Sequence, residues 1–255
     1  MLVAAAVCPH PPLLVPQAMG SAGWPDGSDA GAATSQEARV DAQIRQLRAA
    51  CYAAVRDLAA ADPDLIIVIG GGNVTRRYPG SAAGSLRDLG IPFSTGAGEP
   101  VLPLSLTVGS WLVRHCLGQT ILQPARPGRL ELQEVAQSWS ASECAALGER
   151  LVSEAPRVAL LVMGDGSARK VLGVPGAADP PAERYDAQIA NALAAGNVGV
   201  LAGLDPAAAD HLLVAGRTGW QVLAGAAAGR RIRGQLRYAA APLDVSYFVA
   251  SWLPE

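Results

Sequence analysis

Leu2-Val3-Ala4-Ala5-Ala6-Val7 runs directly into Cys8-Pro9-His10-Pro11-Pro12-Leu13-Leu14. An apolar run this short, closed by prolines, reads as a buried strand. Proline fixes its own φ and restricts the residue before it, so His10 sits in a rigid, extended setting. An imidazole at the carboxyl end of a buried strand stands where α/β proteins place ligand-contacting and catalytic groups. The competing reading of the same residues is a Pro-rich turn that contains a histidine.

Working outward, strand signals alternate with helix signals. Residues 17–35, rich in Gly, Ser, Ala and Asp, read as a surface loop. Ser35 is expected to cap a helix of about 25 residues that ends at Asp62-Pro63. Asp64–Gly70 (Asp-Leu-Ile-Ile-Val-Ile-Gly) is the clearest buried strand. Residues 71–100 read as loop. Pro103–Val108 reads as a strand and Gly109–Leu117 as a short helix. Thr120–Gln123 and Leu130–Val135 are expected as strands on a sheet edge, Ser140–Glu154 as a helix and Arg157–Gly164 as a second buried strand. Asp179-Pro180-Pro181 introduces a helix through Ala195. Helices over 206–215 and 218–229 and strands over Leu236–Ala239 and Val245–Trp252 follow. This order predicts an α/β fold, one domain over residues 1–255 with a mostly parallel central sheet flanked by helices. The loops after the strands ending near residues 7, 70 and 163 should line one crevice.

The chain has 255 residues, of which 50% are hydrophobic and 16% charged, enough apolar material for a substantial core. A net charge of -2 points away from nucleic acid and from anionic membranes as partners. No apolar stretch is long enough to span a bilayer. The start lacks a basic segment and is interrupted by Pro9, Pro11 and Pro12, a poor match to a signal peptide. Cys8, Cys51, Cys116 and Cys144 are scattered without a CxxC pair and read as free thiols, which places the protein in a reducing cytoplasm.

Few residues carry a chemical signal. Of three histidines, His115 falls near a helix end and His211 on an Ala-rich helix, leaving His10 as the one in a site-like context. Gly70-Gly71-Gly72-Asn73 follows a strand but does not run into a helix as a dinucleotide fingerprint must. Gly164-Asp165-Gly166-Ser167-Ala168-Arg169-Lys170 lacks phosphate-loop spacing. It reads either as a tight turn or as an acid, a hydroxyl and a guanidinium facing the crevice. No GxSxG elbow is present, and Cys8 and His10 on one strand do not make a nucleophile pair.

The strand followed by Cys8-Pro9-His10-Pro11-Pro12 resembles the opening of the class III extradiol ring-cleavage dioxygenases, the LigB-type superfamily that includes the Memo proteins. The later order agrees with a LigB-like fold: Asp64–Gly70, then Val162-Met163-Gly164-Asp165-Gly166-Ser167, then the 179–197 helix region and Ala241-Pro242-Leu243-Asp244-Val245-Ser246-Tyr247-Phe248. The resemblance implies Fe(II) held by two histidines and one carboxylate, with a further histidine as acid/base. His10 matches the first ligand. The second should follow Ile69-Gly70-Gly71-Gly72-Asn73, and no histidine stands there. The acid/base histidine should follow Ser167, where the chain has Ala168. The ligating Glu should precede Trp220, where it reads Val214-Ala215-Gly216-Arg217-Thr218-Gly219.

The expected function is therefore that of a degenerate, non-catalytic relative. It retains a crevice for a small molecule or partner, lined by His10, Asn73, Asp165, Ser167, Arg169 and Arg217. The alternative is a diverged metal-dependent dioxygenase or hydrolase, with Fe(II) or Zn at a site rebuilt around His10 and Asp165. A third reading is a structural subunit that supports a partner enzyme; the resemblance allows a homo-oligomer, with Trp111, Trp139, Trp220, Trp252 and Tyr247 at an interface or, as is commoner for large aromatics, in the core.

Overall fold

The opening run forms strand β1 (Leu2–Cys8) in the computed structural model, which describes residues 1–19, 35–118, 129–168 and 179–255. The main sheet also contains β2 (Leu65–Gly72), β3 (Arg76–Pro79), β7 (Arg129–Ala136), β8 (Val158–Met163), β9 (Ile232–Ala240) and β10 (Tyr247–Pro254). Its order is β3-β7-β2-β8-β1-β10-β9. The four strands β7, β2, β8 and β1 are parallel, whereas β3, β10 and β9 pair antiparallel at the flanks. The sheet is thus mostly, not wholly, parallel. A small sheet of β4 (Ala82–Ser85), β5 (Ser94–Thr95) and β6 (Ala97–Pro100) occupies the segment read as loop.

Side chains alternate through the central strands, so each strand feeds two cores. Ala5, Val7, Ile67, Ile69, Leu160 and Val162 pack with α3 (Ala141–Leu151), α4 (Pro180–Ala195), α5 (Val198–Ala202) and α7 (Arg217–Ala226). Ala4, Ala6, Cys8, Ile66, Val68, Leu161 and Met163 pack with α1 (Ser35–Ala60) and α2 (Leu104–Leu117). Both faces of the sheet are covered, which is why its strands read as continuous apolar runs. A capping box fixes the start of α3: the Ser140 hydroxyl accepts from Glu143 N, and the Glu143 carboxylate accepts from Ser140 N at 2.8 Å.

Three expectations are corrected. Pro103–Val108 is not a strand: α2 begins at Leu104, with Pro103 as its N-cap residue. Leu-Ser-Leu-Thr-Val alternates like a strand, but Ser105 through Val113 are all buried, so surface periodicity was never available to mark the helix. Leu130–Val135 does not lie on the sheet edge, because β3 folds back along β7 and takes that place. The two late helices are shorter than read, α6 (Pro206–His211) and α7, with α5 before them. The segments 20–34, which holds most of the expected loop, and 119–128, which holds Thr120–Gln123, lie outside the described residues. No helix among the described residues is long and apolar enough to cross a membrane.

Candidate functional site at the carboxyl end of the sheet

β1 and β8 run parallel with Cys8 opposite Met163, and Gly164 N donates to Cys8 O at 2.9 Å. Two residues beyond that paired step, the chains present His10 and Asp165 side by side. His10 N donates to Asp165 Oδ1 at 2.8 Å, and His10 Nδ1 lies 3.5 Å from the same oxygen. The second contact has ion-pair distance without hydrogen-bond geometry. His10 is only 8% exposed, and its Nδ1 has no hydrogen-bond partner among the described residues. This nitrogen is a buried polar group without a partner at this end of the sheet, as is, among the described residues, Trp220 Nε1 near Gly164.

The loop carrying Asp165 is held from several sides. Asp165 O accepts from Gly216 N at 2.9 Å, Gly166 N donates to Ser246 O at 2.7 Å, and Ala168 N donates to Leu212 O at 3.1 Å. The carboxylate of Asp186, on α4, accepts from Ser167 N at 3.0 Å, Ser167 Oγ at 2.5 Å and Ser246 Oγ at 2.6 Å. Gly166 must be glycine: a Cβ there would stand 2.6 Å from the Phe248 ring and 2.9 Å from Ser246. These bonds fix Asp165, and through it the His10 backbone.

At the end of β2, Glu134 of β7 organises the turn. Its carboxylate accepts from Asn73 N at 2.9 Å, Val74 N at 3.3 Å and the Tyr78 hydroxyl at 2.7 Å. Burial, and then the neighbouring Glu134, push the Tyr78 phenol up to about 12. The α2 start is tied to the same place, since Ser105 Oγ donates to Gly71 O at 2.7 Å.

The structure therefore brings together His10 and Asp165, and sets exposed Asn73 on the end of the strand next to β8. Ser167 is buried with its hydroxyl committed to Asp186. Arg217 is not a crevice-facing guanidinium. It is 1% exposed, and it donates to Trp139 O and Gln221 Oε1, each at 2.9 Å, and to Gln137 O. Its place is a clamp that pins the start of α7 to the segment after β7. Arg169 lies outside the described residues. His115 is exposed in the last turn of α2 and stacks on Trp111, while His211 ends α6 beside Leu212.

Asp186 and Glu134 were missed in the sequence. Glu134 left a trace, because it falls in phase with Leu130 and Leu132 on the buried face of its strand. Asp186 left none. Around this end lie exposed apolar residues: Val74 past β2, Leu104 opening α2, Leu213 beside Leu212, and Leu243 between β9 and β10.

The donor set does not fit the two-histidine, one-carboxylate iron centre. His10 and Asp165 are adjacent, but the Glu134 and Asp186 oxygens are taken by backbone N–H and hydroxyl donors. Among the described residues no group of three His, Cys, Asp or Glu side chains is placed to hold a metal ion.

No family model matches the chain, and no curated protein matches it. Among solved structures it is similar to an uncharacterized protein, JW3007, from Escherichia coli K12, at 13% identity and a TM-score of 0.46, over 98% of this chain and 99% of that chain.

Proposed function

We propose that the protein is a LigB-type relative without that superfamily's iron chemistry, and that the carboxyl end of its sheet binds a small organic molecule. One observation carries this reading: the buried, unpartnered His10 Nδ1 beside Asp165 at the carboxyl end of the sheet. Such a pair offers one or two directional polar contacts, which orient a ligand when apolar surface lies nearby. A ligand hydroxyl or amide would satisfy the imidazole and make its burial favourable.

The expected result is that a panel of catechols and small aromatic acids yields at least one compound that raises the melting temperature. His10→Ala then weakens its binding about tenfold or more, the loss of one buried hydrogen bond. Binding that is indifferent to both His10→Ala and Asp165→Asn sinks the reading.

The pair at 3.5 Å also favours a second reading, a diverged enzyme that uses an imidazole set beside a carboxylate. Stoichiometric iron or zinc in protein purified without chelator, lost in His10→Ala, would favour that reading. A cytoplasmic location and a homo-oligomeric state belong to the same proposal. A sedimentation mass equal to the monomer would remove the latter.

A further inference from the structure

A groove of about 520 Å³ lies elsewhere, between the last turns of α1, the edge strand β9 and its neighbour β10. Ser251 and Trp252 of β10 pair with Ala6 and Ala5 of β1, so the groove extends toward the amino end of the parallel strands, away from His10. Its chemistry follows from one irregularity. The β9–β10 register shifts where Leu236 and Tyr238 oppose consecutive residues of β10, which makes Arg237 the extra residue of a bulge. Ile232 and Leu236 pack toward α4, and Arg233 and Gln235 alternate to the α1 side. The bulge keeps Arg237 on that side too. There it donates to Asp57 of α1 and, at 2.8 Å, to Ser251 Oγ.

Charge is unbalanced at this place. The whole chain is at -2, yet Arg230, Arg231, Arg233 and Arg237 fall within eight residues that contain no acid. Glu255 answers Arg231 at 3.2 Å and Asp57 answers Arg237. Arg233 is exposed and has no ion-pair partner among the described residues. Two carbonyls just past the α1 end are already engaged, since Arg157 donates to Asp62 O at 2.8 Å and Ala61 O at 2.5 Å. Beside the guanidiniums, Ala60, Ala61 and Leu253 supply a small apolar wall.

We propose that this groove binds a small molecule with an oxyanion headgroup, carboxylate or phosphate monoester, on a short apolar body. Arg233 takes the headgroup through its planar fork, while Arg237 and Asp57 form a neutral pair in the groove wall. The volume is in the range of small-ligand sites.

Calorimetric titration with phenyl phosphate, benzoate and neutral benzyl alcohol at fixed ionic strength tests this. At least one oxyanion should bind saturably while benzyl alcohol does not; which one binds assigns the headgroup. Arg233→Gln, an exposed change, should weaken that binding about tenfold. Ala60→Leu, which narrows the groove without touching a charge, should weaken it as well. Absence of saturable binding by both anions in the millimolar range overturns the proposal. So does equal binding of the alcohol, or affinity unchanged by both substitutions.

Discussion

Asp186 and Asp57 each join a helix to two other segments, but with different partners. Asp186 links α4 to the loops before β10 and after β8 through a backbone N–H and two hydroxyls, all neutral donors. Asp57 links α1 to β9 and β10 through a guanidinium and one hydroxyl. The first arrangement sits at the carboxyl end and holds a loop still without placing a cation next to His10. The second balances charge on a strand that carries more arginine than the fold can neutralise. One end of the sheet holds carboxylates met by neutral donors, and the edge groove carries Arg233, which has no ion-pair partner among the described residues. On the two proposals above, that contrast assigns the two places different ligands.

The largest effect that would break the contrast is at Asp186. Asp186→Ala leaves three donors without an acceptor and should cost about 3 kcal/mol in urea unfolding, with little change between low and high salt. A cost under about 1 kcal/mol would mean that the loop does not depend on this carboxylate. Next, Gly166→Ala forces a Cβ against Phe248 and Ser246 and should cost about 2 kcal/mol. It should also disturb the His10 imidazole, seen as a shift of its ring resonances.

Asp57→Asn should cost only about 1 kcal/mol, because both partners are partly exposed, and the loss should shrink as salt rises. A salt-independent loss of the same size as that at Asp186 would erase the distinction between the two regions.

The smallest effect sharpens it. Tyr185 neighbours Asp186 on α4, and its hydroxyl is buried with no hydrogen-bond partner among the described residues. Burial pushes its phenol up to about 12, from an ordinary value of 10.0. The unfolded chain therefore ionises first. The stability this group contributes is complete below pH 10 and is lost as pH rises toward 12. Tyr185→Phe should flatten the decline of melting temperature above pH 10 and leave neutral-pH stability equal or slightly higher. A steeper alkaline decline in the variant would contradict this.

Much of the architecture was legible because burial on both faces writes itself as apolar runs. Leu2–Val7, Leu-Ile-Ile-Val-Ile at 65–69 and Val158–Val162 each became a strand of the parallel core. Helix starts with local chemistry were legible too, as at Ser140 and at Pro180. The reading failed where burial was complete or contacts were long-range. α2 is buried too fully along Ser105–Val113 to show a helical stripe, and β3 could be recognised only once β7 was there to pair with it.

Composition and periodicity by themselves determined an α/β chain with His10 at a strand's end and Asp165 in a loop after another strand. These are local properties, set by proline geometry and by which residues avoid water. Only the tertiary structure decided that the two meet, that Arg217 is a buried clamp, that Glu134 and Asp186 organise the turns, and that a bulge at Arg237 turns an edge strand into a basic groove. Each of these depends on a pairing between segments distant in the chain, and no local preference encodes such a pairing.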